Sequence, residues 1–152
     1  MSAAAAERHP AHPVSAVVEL FINVDVPDLE AATRFYVDAF GFRLGRRLGD
    51  AGTELLGASV PLYLLQQPAA SEAAPGSGAR RTYARHWTPV HLDVVVADIG
   101  AARERALAAG ARAEGEVSRH AWGYMARLAD PFGHGVCLLQ LEPGGYDAIS
   151  SG

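Results

Sequence analysis

The chain is short of several things that would have decided its class at once. It has one cysteine, Cys137, so it forms no internal disulfide, which fits a reducing compartment. No apolar run is long enough to span a bilayer. The opening MSAAAAERHPAHPVS has alanines but no basic start followed by an apolar stretch, unlike a secretory leader. There is no excess of positive charge either. The net charge is −4, which leaves no electrostatic footprint for nucleic acid. These absences predict a cytoplasmic protein with no nucleic-acid or membrane partner. What remains is 152 residues, 49% hydrophobic and 20% charged, enough for one domain with a buried core.

The informative stretch is Phe21 to Gly45, FINVDVPDLEAATRFYVDAFGFRLG, because the chain nearly repeats it 70 residues later as HLDVVVADIGAARERALAAGARAEG, His91 to Gly115. Val24 falls on Val94, Val26 on Val96, Asp28 on Asp98, Ala31 and Ala32 on Ala101 and Ala102, and Gly45 on Gly115. Internal repeats are read before anything else, and two copies mean a duplicated module. In each copy an alternating strand predicts one aliphatic and one mixed face. An Asp follows that can cap a helix, then an apolar stripe at three-and-four spacing, then a glycine stop. Leu20, Ile22, Val24 and Val26 are expected against the helix. Glu19, Phe21 and Asn23 in one copy, and His91, Asp93 and Val95 in the other, are expected on the opposite, inward face.

The organisation predicted is a lead-in over 1–15, one domain over 16–142, and a loose tail over 143–152. The domain comprises a module at 16–67, a linker at 68–88 and a second module at 89–142. The first strands are expected at Val17–Val26 and Val90–Val96. The first module continues with strands Phe42–Leu48, Thr53–Gly57 and Leu62–Gln67. The second has helix Ile99–Ala109 and strands Arg112–Val117, Trp122–Ala129 and Val136–Leu141. Asp130-Pro131-Phe132-Gly133 is strong turn chemistry. Pro68–Ala79 has linker composition. Arg80–Trp87, RRTYARHW, reads as a solvated connector with snorkelling arginines, or more sharply as a lid or a segment meeting a partner subunit.

A duplicated strand–helix–three-strand module ending in DPFG resembles the vicinal oxygen chelate superfamily, which holds glyoxalase I, bleomycin-resistance proteins, fosfomycin-resistance enzymes and extradiol dioxygenases. The segments carrying the resemblance are VDVPDLEAATRFYVDAFGF, VHLDVVVADIGAARERALAAGA and DPFGHGVCLLQ. It implies an α+β fold of two βαβββ modules forming curved half-barrel sheets, and a homodimer. It also implies that four inward positions would hold a divalent metal, at Phe21, Tyr63, His91 and Cys137 here. Phenylalanine cannot ligate and a neutral phenol is a poor donor, so no metal cofactor is expected. The alternative is Zn, Ni, Mn or Fe held by His91 and Glu19, with Cys137 as a third donor.

Two functions follow. One is a small-molecule binding protein using Glu19, Phe21, Tyr63, His91, Asp93, Trp87, Trp122 and Cys137. The other is a glyoxalase- or dioxygenase-type enzyme with His91 as base and Tyr63 or Glu19 as partner. The plainer reading comes first for both: His91 as an interior histidine bonded to Asp93, Glu19 or a backbone group, and Cys137 as a small buried hydrophobe rather than a nucleophile. His120 and His134, beside turns, are expected at the surface, while Trp122 and Tyr124 line the pocket or fill core.

Overall fold

A computed structural model describes residues 18–151; the expected lead-in over 1–15 lies outside the described residues. The first module runs β1 (Ile22–Val26), α1 (Leu29–Phe40), β2 (Arg43–Leu48), β3 (Gly52–Leu56) and β4 (Leu62–Gln66). The second runs β5 (Leu92–Val95), α2 (Ile99–Ala109), β6 (Arg112–Ala113), β7 (Ser118–His120), β8 (Gly123–Ala129) and β9 (Gly135–Leu141). Two open sheets result, ordered β1-β4-β3-β2 and β5-β9-β8-β6, with β7 paired to β8. In both, the first strand runs parallel to the last. This is the α+β arrangement of two βαβββ modules, with the first strand after the helix of the second module split into β6 and β7. No helix among the described residues is long and apolar enough to cross a membrane.

Both helices begin in the same way. Asp28 Oδ1 accepts from Ala31 N and Asp98 Oδ1 from Ala101 N, each at 2.9 Å, satisfying one free donor of the first turn. A second device is repeated as well. Gln66 Oε1 on β4 accepts from Leu29 N, and Gln140 Oε1 on β9 from Ile99 N. Gly41 and Gly110 end the helices in left-handed conformation. The buried stripe of α1 is Leu29, Ala32, Phe35, Tyr36 and Ala39, and it shares one core with Ile99, Ala102 and Ala106 of α2. Phe35 meets Phe132 edge-on, and the Tyr36 hydroxyl donates to Asp130 Oδ2 at 3.0 Å. The modules are therefore joined through their helices and the DPFG turn.

Strand register follows the repeat. Ile22, Val24, Val26, Leu92 and Val94 pack on the helical core, while Phe21, His91 and Val95 lie exposed off it. Three expectations are corrected. Each first strand is shorter than predicted, and Leu20 is exposed rather than packed under α1, because pairing with β4 starts only at Ile22↔Leu62. The single strand expected over 112–117 is instead β6 and a separate β7, both pairing with β8. The tail is not loose where it is described, since it forms a 3₁₀ turn at Gly145–Ile149 with Tyr146 against Trp122.

Candidate functional site

Residues in register on neighbouring strands point to the same side of a sheet. On the helix-free face of the first module, Asn23, Tyr63 and Glu54 are in register across β1, β4 and β3. The same places in the second module hold Asp93, Cys137 and Arg127 across β5, β9 and β8. The repeat has thus placed a carboxylate and a guanidinium at equivalent positions.

In the first module, Glu54 is buried yet fully bonded. It accepts from Arg46 N at 3.0 Å, Arg46 Nε at 2.9 Å, Arg46 Nη2 at 2.6 Å and the Tyr63 hydroxyl at 3.1 Å. Arg46 Nη2 also donates to the Tyr63 oxygen at 3.3 Å, and Phe21 meets Tyr63 edge-on at 5.6 Å. Gly45 makes room, because a Cβ there would stand 2.6 Å from Glu54 Oε2. Hydrogen bonds from the Arg46 side chain, then from its backbone N–H, pull the Glu54 carboxyl down to about 2 against the opposing push of burial. A carboxylate depressed on folding stabilises above its unfolded pKa, near 4.3, and that contribution fades as pH falls towards 2. The melting difference between the wild type and Glu54→Gln should therefore be full above about pH 5 and shrink below it. A difference that does not change with pH would remove the ion pair as its cause.

In the second module, His91 Nδ1 donates to Asp93 Oδ1 at 2.9 Å, and Cys137 Sγ joins their donor atoms within 4.8 Å. Burial first, then the charge of Asp93 and a hydrogen bond to it, push the Cys137 thiol up to about 11. It is a protonated thiol at neutral pH, not a nucleophile.

The 80–87 segment is not a solvated connector. Arg81 pairs with Asp25 at 2.7 Å and Arg85 with Glu114 at 2.5 Å, both arginine side chains being less than a fifth exposed. Trp87 Nε1 also donates to Glu114, and the Tyr83 hydroxyl donates to Gln67 O. The Arg85 guanidinium lies over the Trp87 ring, whose edge meets His91 at 5.8 Å. The segment is a strap across both modules, ending beside His91.

Other expected residues lie elsewhere. Glu19 is exposed in a shallow groove with Phe21, Ser59 and Pro61, and Asp93, not Glu19, completes the donor trio. Trp122 sits at the β7–β8 turn, stacked on His120 at 4.7 Å, where both are half-buried. His134 is likewise not a surface residue, since its Nε2 bonds to Asp25 O at 2.8 Å. Two cavities lie where edge strands β1 and β5 meet. One, of about 190 Å³, is lined by Asn23, Asp25, His86, His91 and His134. The other, of about 460 Å³, is lined by Phe40, Phe42, Leu62, Asp93 and Val95. Neither is lined by all four of Phe21, Tyr63, His91 and Cys137. Sequence reading missed Glu54, Arg46, Arg127 and Glu114; a charged residue inside the apolar strand GTELL was the available signal for the first.

The four positions inferred to hold a superfamily metal do not fit one here. Phe21 offers no donor, and the Tyr63 oxygen is already engaged by Glu54 and Arg46.

A model of the glyoxalase-like domain matches residues 21–139. No match was found among curated proteins. A glyoxalase-related enzyme from Fulvimarina pelagi superposes with a TM-score of 0.65 at 22% identity, covering 86% of this chain and 90% of that one. A lactoylglutathione lyase from Agrobacterium tumefaciens gives 0.57 at 21%, covering 85% and 96%. The fosfomycin resistance protein FosX from Listeria monocytogenes gives 0.59 at 19%, covering 88% and 96%. At such identities the likeness carries the fold and not the chemistry. Because the domain match spans both copies of the module, the chain belongs to the glyoxalase-like domain family of the glyoxalase/bleomycin-resistance/dioxygenase, or vicinal oxygen chelate, superfamily.

Proposed function

We propose that this protein binds a small organic molecule on the inward faces of its two modules, without the superfamily's four-donor metal site. The observation that carries the reading is the Phe21–Tyr63–Glu54–Arg46 cluster. It puts an aromatic surface and a locked ion pair where half of a metal site would stand. Phe21 is half exposed, so it offers a stacking surface, and His91 and Asp93, each side chain about 40% exposed, supply the polar groups. A mostly apolar site with a few placed polar groups is the usual form of a small-molecule pocket.

The test is calorimetric titration with aromatic and cationic aromatic compounds, bleomycin among them. His91→Ala is expected to weaken binding roughly tenfold or more, through loss of one buried polar contact. His120→Ala, stacked on Trp122 at the β7–β8 turn and lining neither cavity between β1 and β5, should change it little. Equal effects of the two substitutions, with the fold intact by circular dichroism, would place the site elsewhere.

The same reading includes a homodimer, since Leu20, Phe21, Leu44 and Val95 are apolar and at least half exposed, and edge strands need cover. Light scattering at micromolar concentration should give twice the 16.0 kDa chain mass. A monomeric mass would remove the assembly.

A further inference from the structure

The strap over 80–87 is seated on the second module through two glycines. Beneath it the chain reads Gly133-His134-Gly135. A Cβ on Gly133 would stand 2.8 Å from the Tyr83 carbonyl carbon, and one on Gly135 would stand 2.7 Å from Cδ2 of the Trp87 ring. His86 N donates to Gly133 O at 3.3 Å, and the Tyr83 ring meets His134 edge-on at 6.2 Å. Arg81 ties the strap to Asp25 in the first module, and Arg85 ties it to Glu114 in the second.

What the strap lacks is an anchor in the core. Across residues 65–98, all of them described, none is buried, and Trp87 stays 39% exposed. A segment with few buried apolar contacts opens locally at a cost well below that of global unfolding. Behind this one lies the cavity of about 190 Å³ between β1 and β5. His86 and Thr88 form one of its walls, and Asn23, Asp25 and His134 stand across from them. Lifting the strap therefore removes a wall of the cavity.

We propose that residues 82–88 form a lid that opens and closes over this cavity while both modules stay folded. Arg81 is its fixed end. Besides Asp25, the Arg81 guanidinium holds the Ser71 hydroxyl and the carbonyls of Glu72 and Ala73, so the preceding loop is wrapped around it. β5 fixes the other end, and the chain between them lifts as a bulge. The latch is the Arg85–Glu114 pair, with Trp87 Nε1 donating to the same carboxylate. The seat is the space left by Gly133 and Gly135. This lid is independent of the organic-ligand reading, since it uses none of Phe21, Tyr63, Glu54 or Arg46 and is tested with no ligand present.

The test is native proteolysis of the full chain with trypsin, which cuts after arginine. The initial rate at which the 1–85 fragment appears follows the open population when opening and closing outpace cleavage. Glu114→Gln releases the latch and should raise that rate roughly tenfold or more, the loss of a hydrogen-bonded charge partner, with the circular dichroism melting curve little changed. Gly135→Ala should act in the same direction by pushing the Trp87 ring off its seat. In a Trp87→Ala background, where the ring is gone, Gly135→Ala should add nothing. Hydrogen exchange in the wild type decides the matter should a variant misfold. The His86 amide should exchange at a rate that low denaturant barely alters, whereas the Leu138 amide of the paired strand β9 should exchange faster with each addition. The proposal is overturned if Glu114→Gln and Gly135→Ala release the 1–85 fragment no faster than the wild type does, or if the His86 amide follows Leu138 in denaturant.

Discussion

Replacing Asp130 by alanine is expected to destabilise the protein by about 3–5 kcal/mol, because it orphans several donors at once. Asp130 is 2% exposed. Its Oδ1 accepts from Phe132 N and His134 N at 2.8 Å each, and its Oδ2 accepts from the Tyr36 hydroxyl. One carboxylate therefore holds the DPFG turn together and ties it to α1 of the other module. Burial first, then the Asp130 charge, hold the Tyr36 phenol well above its ordinary range, so it stays a donor at any working pH. Tyr36→Phe leaves both backbone donors satisfied and should cost only about 1 kcal/mol. Asp130→Asn keeps an acceptor for the turn and should recover most of the loss. In a chain of this size 3–5 kcal/mol lowers the melting temperature by roughly 10 °C. If asparagine and alanine at 130 melted together, the turn bonds would not be what matters there.

Gly123→Ala should have an effect of similar size for a different reason. Gly123 begins β8 at φ +144°, and a Cβ there would stand 2.0 Å from the Gln140 carbonyl oxygen of β9. That atom is backbone in a paired strand, so the neighbour cannot swing away. Strained φ and overpacking together cost about 3–5 kcal/mol. Gly49, in the β2–β3 turn at φ +60°, has nothing within 4 Å of the same probe. Alanine there should cost only about 1–2 kcal/mol for the backbone conformation. Denaturant midpoints for the two variants separate steric exclusion from conformation. A Gly123 variant as mild as the Gly49 one would mean that β8 and β9 part easily, contrary to their continuous pairing from Gly123↔Leu141 to Ala129↔Gly135.

The Asp130 network also illustrates how far reading the residues reaches. DPFG announces a turn because proline and asparagine-like hydrogen bonding act within a few residues. Nothing local says that the second oxygen of Asp130 will find Tyr36, 94 positions away. The strap behaves in the same manner. RRTYARHW read as a solvated segment because arginine is usually solvated, and its partners Asp25 and Glu114 lie 56 and 29 positions away.

By itself the sequence determined the duplication, the helices with their aspartate caps and glycine stops, and which side of each first strand meets its helix. The duplication shows as matches 70 positions apart, and the rest depends on interactions between residues two to four apart, where periodicity and chemistry are directly legible. Tertiary structure alone decided what each inward residue touches. It engaged Tyr63 with Glu54 and Arg46, put Asp93 rather than Glu19 beside His91 and Cys137, and moved Trp122 off to stack on His120. These outcomes depend on the register between strands far apart in the chain. A shift of one residue in that register sends a side chain to the other face of the sheet, and no local pattern of residues records which long-range pairing wins.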